Sequence, residues 1–169
     1  MEEKQNIVIL AHNIRSAHNI GALFRTADGF GVSKIFLSGY SPVPYKENSL
    51  YKNKGQKEIE KTALGAEKNI PWEYFSKLSS VLERIHKEGF FLVALEQSPK
   101  SIPFHNEIIR KKTQLAILLG NEVLGVHGKT LKKMDAICEI PMRGKKNSFN
   151  VIIACAVFLG AIRYFDKDS

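Results

Sequence analysis

The stretch NIVILAHNIRSAHNIGALFRTADGFGVSKIFLS, residues Asn6–Ser38, decides the fold class. Its opening run, Asn6–Leu10, is short, apolar and typical of a buried β-strand. Apolar residues then recur at helical spacing over residues 20–27, and Gly29 predicts the end of that helix. A second apolar run, Lys34–Ser38, predicts another strand. Strand, helix and strand in this order form the unit of a parallel α/β sheet.

The rest of the chain continues this alternation. We predict further strands and helices from apolar runs and helical spacing: strands over 90–96, 115–120 and 136–141, and helices over 76–88 and 149–165. Residues 40–61 show little periodicity, which predicts a long mobile loop with a short helix beginning near Ile59. A length of 169 residues suits one domain. We therefore expect a single α/β domain over residues 1–169, with helices flanking a parallel sheet.

Composition narrows the class of protein. The chain has 25 Lys and Arg against 17 Asp and Glu, a formal net charge of +8. This excess favours a polyanionic partner such as RNA or DNA, although a solvated lysine-rich surface would look the same. Cys138 and Cys155 have no zinc-type spacing, which predicts inert core thiols and no metal. The acidic start, Met1–Lys4, is unlike a signal peptide, and no apolar run is long enough for a membrane span, so a cytoplasmic protein without a membrane partner is expected.

The first of three motifs is NIGALFRTADGFGV, residues Asn19–Val32. It places Asn19, Gly21 and Arg25 at the start of a mostly apolar helix. An arginine on an apolar segment needs an anionic partner or a route to solvent. Taken alone, Arg25 is better explained as a side chain that extends to the surface.

The second motif is LLGNEVLGV, residues Leu118–Val126, in which a buried strand ends at Gly120. Ligands of open α/β sheets bind beyond the carboxyl ends of the strands, and glycine allows a ligand to approach the backbone. Glu122 at this point could hold a hydroxyl, an amine or another protein group. Alternatively, it caps a following helix.

The third motif is IPMRGKKNSFNVIIACAVFLGAIRY, residues Ile140–Tyr164. A strand end is followed by a basic loop, and Ser148 is the residue that we expect to cap the last helix. Capping does not explain why Arg143, Lys145 and Lys146 crowd the same helix end. Cations beside a helix N-terminus are typical of an anion site.

Together the three motifs resemble those of the SpoU (TrmH-like) branch of the SPOUT RNA methyltransferases. NIGALFRTA is similar to the first family motif, LLGNEVLGV to the second and IPMRGKKNSFNVIIACA to the third. Their order and spacing agree with the family across nearly the whole chain. The departures are small, with Phe149 where leucine is usual and Asn121 where serine or proline is also common. The lysine-rich segment, residues 45–61, matches no family motif.

The resemblance implies a parallel α/β sheet with a C-terminal trefoil knot, the SPOUT fold, and a homodimer formed through the last helix and the first motif. It also implies that S-adenosylmethionine binds among three strand-end loops. The residues expected to hold it are Leu95, Glu96, Leu119, Gly120, Ile140, Met142, Ser148 and Phe149.

The implied activity is methyl transfer to a ribose 2′-hydroxyl of RNA. Transfer RNA is the preferred expectation for the substrate over ribosomal RNA, because many of the family's ribosomal RNA enzymes carry a separate N-terminal domain. The resemblance places Arg25 at the position of the family's essential arginine, where it would act as a base or, as its permanent charge favours, as a phosphate clamp that stabilises an alkoxide. Asn19, Asn150 and Glu122 would position it. The expected RNA-binding residues are Arg15, Arg143, Lys145 and Lys146.

Other functional classes fit less well. Gly128–Thr130 spells GKT, but a Walker A motif would need glycine at Val123. No glycine cluster follows the first strand, as an ordinary dinucleotide-binding fold requires. A non-catalytic RNA-binding module would explain the charge, and its failure to bind S-adenosylmethionine would distinguish it from the enzyme.

Overall fold

The predicted strand–helix–strand unit opens a larger parallel sheet. The structure, a computed structural model, describes residues 5–46 and 49–165. Its strands are β1 (Asn6–His12), β2 (Lys34–Ser38), β3 (Trp72–Phe75), β4 (Phe91–Leu95), β5 (Ile102–Pro103), β6 (Gln114–Leu119) and β7 (Ala136–Glu139). Its helices are α1 (Ala17–Gly29), α2 (Lys54–Ala63), α3 (Ala66–Asn69), α4 (Leu78–Lys87), α5 (Glu107–Arg110), α6 (Gly128–Leu131) and α7 (Val151–Tyr164). The acidic start Met1–Lys4, and residues 47 and 48 of the lysine-rich segment, lie outside the described residues.

The sheet order is β3-β2-β1-β6-β4-β7-β5, and every pairing is parallel. β1 lies near the middle, with Ile9 opposite both Ile35 of β2 and Ile117 of β6. Because all strands run the same way, their carboxyl ends share one edge of the sheet. The loops that follow β1, β2, β4, β6 and β7 therefore meet at that edge, where ligands of such sheets bind.

Helices cover both faces of the sheet, which is why the central strands are apolar on both sides. On one face, α1, α2 and α7 pack with Ile7, Ile9 and Ile117. On the other face, α4 packs with Val8 and Leu10. The expected single α/β domain with a parallel sheet flanked by helices is confirmed.

Two predicted helix boundaries were wrong. Residues 40–61 are not a loop with a helix near Ile59, because α2 already begins at Lys54. Asn53 and Gln56 form a reciprocal capping box there, and Ile59 and Ala63 are buried. The last helix begins at Val151, and its cap is Asn150 rather than Ser148: the Asn150 side-chain oxygen accepts from the N–H groups of Ile152 and Ile153.

The last helix, α7, has two apolar faces. One face, which includes Cys155 and Phe158, is fully buried in the core. The other exposes Ile153, Val157 and Tyr164, so within the described chain α7 is buried on one side only. Burial raises the pKa of the Cys138 and Cys155 thiols to about 12, as expected for inert core cysteines.

Searches of the described residues found neither a helix long and apolar enough to cross a membrane nor a group of three or more His, Cys, Asp or Glu that could hold a metal ion.

Candidate active site

A cleft with a volume of about 200 Å³ lies where β4, β6 and β7 end. Six of the eight predicted cofactor-binding residues line it: Leu95, Glu96, Gly120, Ile140, Ser148 and Phe149. Leu119 is fully buried beneath the cleft. Met142 is half-buried and does not line it. The three strand-end loops that the sequence singled out therefore meet at one place.

Glu122 lies at the centre of a hydrogen-bond network beside this cleft. Its carboxylate accepts from the backbone N–H groups of Arg15, at 2.9 Å, and Ser16, at 3.1 Å. It also accepts from the Asn19 side-chain amide at 3.0 Å. The loop after β6 is thus attached to the start of α1. Glu122 does not cap a following helix, since residues 121–126 form a turn and the next helix begins only at Gly128.

The same hydrogen bonds set the charge of Glu122. Its partial burial by itself would raise the pKa of the carboxyl group. The N–H groups of Arg15 and Ser16 and the Asn19 amide outweigh that effect and hold the pKa of Glu122 below its ordinary value. The side chain is therefore a stable anion at neutral pH, and it can hold α1 against the cleft.

Asn150 joins this network from the other side of the cleft. Its amide donates to the side-chain oxygen of Asn19 at 3.1 Å, while its own oxygen caps α7. Asn19, Glu122 and Asn150 come from three different motifs, and Asn19 is more than 100 residues from the other two in sequence. The structure brings these three predicted catalytic residues into one connected chain of hydrogen bonds.

Arg25, the fourth predicted catalytic residue, lies elsewhere. It is exposed on α1, whose buried face is formed by other residues, and it does not line the cleft. This exposure agrees with the interpretation of Arg25 as a side chain that extends to the surface. No hydrogen bond or ion pair joins Arg25 to another residue in the described ranges, so its charge is available to an outside partner.

Gly120 is required by packing as well as by the cleft. A Cβ there would lie 2.6 Å from the carbonyl carbon of Gly125 and 2.7 Å from Cγ2 of Val126. Gly120→Val would therefore disturb the packing of the fold as well as fill space beside the cleft. The substitution would push the 121–126 turn off the end of β6.

The cleft is acidic in a basic protein. Glu96, Glu122 and Glu139 line it, and no Lys, Arg or His is among the lining residues. The Glu96 carboxylate is fixed by the N–H groups of Gln97 and Val126, at 2.9 and 2.8 Å. The predicted RNA-binding residues Arg15, Arg143, Lys145 and Lys146 are all exposed outside the cleft.

Three residues of the site were missed from sequence. Glu139 ends β7, and Gln97 follows β4, where it donates to the Asn147 carbonyl oxygen at 2.6 Å. Asn121 follows β6, is buried, and donates to the Asn13 carbonyl oxygen and to the Tyr40 hydroxyl, at 2.9 and 2.8 Å. Glu139 is the last residue of its strand and the other two lie two positions beyond one, and that placement was the signal that could have identified them.

The structure is that of a parallel α/β protein with a cleft at its strand ends, and comparison with known proteins identifies the family. Residues 6–160 match the model of the SpoU rRNA Methylase family. The chain belongs to this family.

Relatives with named activities cover most of the chain. A 23S rRNA (guanosine-2′-O-)-methyltransferase, RlmB, of Coxiella burnetii is 26% identical over 93% of this chain and 58% of its own length. A tRNA (guanosine(18)-2′-O)-methyltransferase of Aquifex aeolicus is 28% identical over 94% of this chain and 70% of its own length. The chain thus spans about three fifths of the Coxiella protein.

A solved structure shares the fold. The AdoMet-bound rRNA methyltransferase of Sinorhizobium meliloti superposes with a TM-score of 0.81 at 22% identity, over 96% of this chain and 58% of that protein. The trefoil knot implied by the family resemblance stays a prediction for this chain.

Proposed function

We propose that this chain transfers a methyl group from S-adenosylmethionine to a ribose 2′-hydroxyl in RNA. The observation that carries the proposal is the acidic strand-end cleft, bordered by the Asn19–Glu122–Asn150 network and by residues of all three family motifs. Family membership and the relatives' named activities support it.

The lining residues fit S-adenosylmethionine. Its sulfonium and amino groups are cationic, and the three cleft carboxylates, with no cation among the lining residues, favour a positively charged ligand. Leu95, Ile140 and Phe149 supply apolar surface for the adenine. When bound, this cofactor supplies a methyl group that is open to attack by an oxygen nucleophile.

Residues around the cleft would stabilise the transition state of the methyl transfer. The 2′-hydroxyl is a weak acid whose proton passes to solvent water as the oxygen is methylated, so the transition state needs positive charge beside that oxygen. We assign this role to Arg25, which also clamps a phosphate; because it lies outside the cleft of its own chain, it would act where the proposed homodimer builds each site at the interface. Its guanidinium stays protonated in proteins, so it is unsuited to be the base. Asn19, Glu122 and Asn150 keep the start of α1 in position.

The substrate of the proposed reaction is RNA, with transfer RNA placed before ribosomal RNA. The matched relatives include enzymes named for each of these two classes of RNA. Arg15, Arg143, Lys145 and Lys146 are exposed beside the cleft and are suited to contact phosphates.

We also propose that the protein is a homodimer through the exposed face of α7. Ile153, Val157 and Tyr164 repeat at intervals of about one or two helical turns and form an apolar stripe on the surface. Placing a second copy there would bury this stripe and build each site at the interface.

The experiment that tests the function maps 2′-O-methyl nucleosides by mass spectrometry. Transfer RNA and ribosomal RNA are isolated from cells with and without this gene and compared, and the lost site is then remethylated with purified protein. One missing 2′-O-methyl nucleoside, restored only when S-adenosylmethionine is added, is the expected result. Identical RNA from both cells, together with RNA binding but no cofactor binding, would favour the non-catalytic module.

A further inference from the structure

A second pocket opens at the same edge of the sheet, on the other side of β1 from the cleft. It lies between the edge strand β3, the loop after β2 and the start of α2, and has a volume of about 440 Å³, within the usual range for small-molecule sites. Its residues are Gly39–Val43, Lys46, Asn53, Gly55, Gln56, Trp72 and Tyr74. No family motif and no residue of the proposed active site lies in it.

Three aromatic side chains dominate this pocket. Tyr40 is 56% exposed and Tyr74 is 47% exposed, while Trp72 is half-buried. Both tyrosine rings are nevertheless fixed, because the Tyr74 hydroxyl donates to the Gly39 carbonyl oxygen at 2.8 Å and the Tyr40 hydroxyl accepts from Asn121 at 2.8 Å. Rings that are fixed yet open to water are preorganised surfaces for stacking.

A cation already lies over the face of one of these rings. The Lys46 ammonium lies 5.0 Å from the centre of the Trp72 ring, which shows that this aromatic face is open to the pocket. A planar base can take the place of the ammonium on the ring. The flexible lysine can then pair with the phosphate attached to that base.

The pocket and the cleft are joined by one buried residue. Asn121 lines the cleft, and its amide holds the Tyr40 hydroxyl of the second pocket. The same amide donates to the Asn13 carbonyl oxygen, at the end of β1 between the two. An RNA strand with one ribose at the cleft can therefore extend along the carboxyl edge of the sheet to the aromatic rings.

We propose that the second pocket binds an unpaired base of the RNA, next to the nucleotide presented to the cleft, by stacking on Tyr40, Trp72 and Tyr74. This assignment rests on the proposed function for the identity of the RNA as substrate. Proteins recognise single-stranded RNA by stacking its bases on aromatic side chains, and a net charge of +8 favours the phosphates that accompany the base.

The chain provides its own probe, since Trp72 is its single tryptophan. Trp72 fluorescence is followed while an unstructured six-nucleotide RNA is added, and separately while an abasic strand with the same phosphates is added. We expect saturable quenching by the base-containing strand only. Equal quenching by the abasic strand would mean that phosphate merely moves Lys46, and would overturn the proposal.

Variants test the stacking surface itself. Tyr74→Leu should weaken binding of the base-containing strand about 5- to 150-fold, the range typical of one stacked base. Tyr40→Phe keeps the ring, loses the Asn121 hydrogen bond and should weaken binding less. Tyr51→Leu is the matched control, because Tyr51 is exposed but does not line the pocket. Unchanged affinity in Tyr74→Leu would contradict the assignment.

The outcome is separable from that of the proposed function. If the wild-type protein methylates RNA but shows no base-dependent quenching, the second pocket is wrongly assigned and the activity stands. If quenching is base-dependent but no methyl group is transferred, the pocket stands and the proposed activity fails.

Discussion

The interior of the cleft and the surface around it have opposite chemical character. Inside, Glu96, Glu122 and Glu139 contribute carboxylates and no cation is among the lining residues. Outside, the 143–146 loop and Arg25 are exposed and basic. A cationic cofactor and a polyanionic substrate would each meet the region that attracts it. The difference suggests that one small domain can bind two oppositely charged ligands by keeping its two kinds of charge apart.

The largest effect on stability and activity should come from substitutions in α7, which has one face in the core and one face at the surface. Phe158→Asp places a charge in the fully buried core and should cost at least about 4 kcal/mol of stability, so that little folded protein remains. Val157→Asp, at a position 39% exposed, should leave a folded monomer that retains cofactor binding but loses activity. Light scattering and thermal unfolding test the pair. A wild-type monomer at micromolar concentration would refute the proposed dimer.

Arg25 should show the next largest effect. Arg25→Ala should lower the single-turnover methylation rate about 10²- to 10³-fold, as the loss of preorganised charge does elsewhere. Arg25→Lys keeps the charge without the bidentate fork, so activity should fall steeply and remain detectable. Cofactor affinity should not change in either variant, because Arg25 lies outside the cleft.

The controls for Arg25 test its chemical role and whether it lies in the active site or in the cofactor cleft. Arg84→Lys, on the other face of the sheet, should leave the rate unchanged. A wild-type rate in Arg25→Ala would remove Arg25 from the active site, and lost cofactor binding in Arg25→Lys would place it inside the cleft. If the wild-type rate titrates with pH and the rate of the Arg25→Lys variant does not, Arg25 acts as the base and not as the phosphate clamp.

Lys145→Gln and Lys146→Gln should have smaller effects, confined to RNA. Each should weaken RNA binding irrespective of sequence and reduce the slope of log affinity against log salt by about 1. Lys87→Gln, exposed at the end of α4, is the matched control. The measurement is RNA binding at several salt concentrations. Unchanged slopes in both variants would show that this loop does not contact phosphate.

The smallest effect should come from inside the cleft. Glu139→Gln removes one of the three carboxylates of the cleft and keeps the shape of the side chain. The substitution should weaken S-adenosylmethionine binding about two- to fivefold. The control Glu83→Gln, exposed on α4, should have no effect. If Glu139→Gln bound the cofactor more tightly, the acidity of the cleft would not serve to attract a cation.

Sequence patterns predicted the scaffold well, because burial on both faces makes the strands of a parallel sheet continuously apolar. Asn6–Leu10 and Lys34–Ser38 were identified from this signal alone. The short strands β3 and β5 and the four-residue helices were missed, because so few residues establish no period. Helix α2 was misjudged because its capping box at Asn53 was overlooked.

The site was predictable where the three motifs lie and unpredictable between them. Asn19, Glu122 and Asn150 were expected to act together, and they share one network. No sequence pattern could show that Glu122 binds the backbone of Arg15 and Ser16, or that Tyr40 reaches Asn121, since these contacts join segments about 80 or more residues apart. The exposure of Arg25, by contrast, agrees with the surface interpretation drawn from sequence, since the apolar residues Ile20, Leu23, Phe24 and Ala27 form the buried face of the helix.

Calorimetric titration of the purified protein with S-adenosylmethionine tests most directly whether the acidic cleft is a cofactor site. The account predicts one site per chain, competition by S-adenosylhomocysteine, and loss of binding in Ala154→Phe, which places a ring in the cleft. Ser80→Phe, at an exposed position of α4 away from the cleft, should bind as the wild type does. No heat and no competition with folded wild-type protein, or undiminished binding in Ala154→Phe, would contradict it.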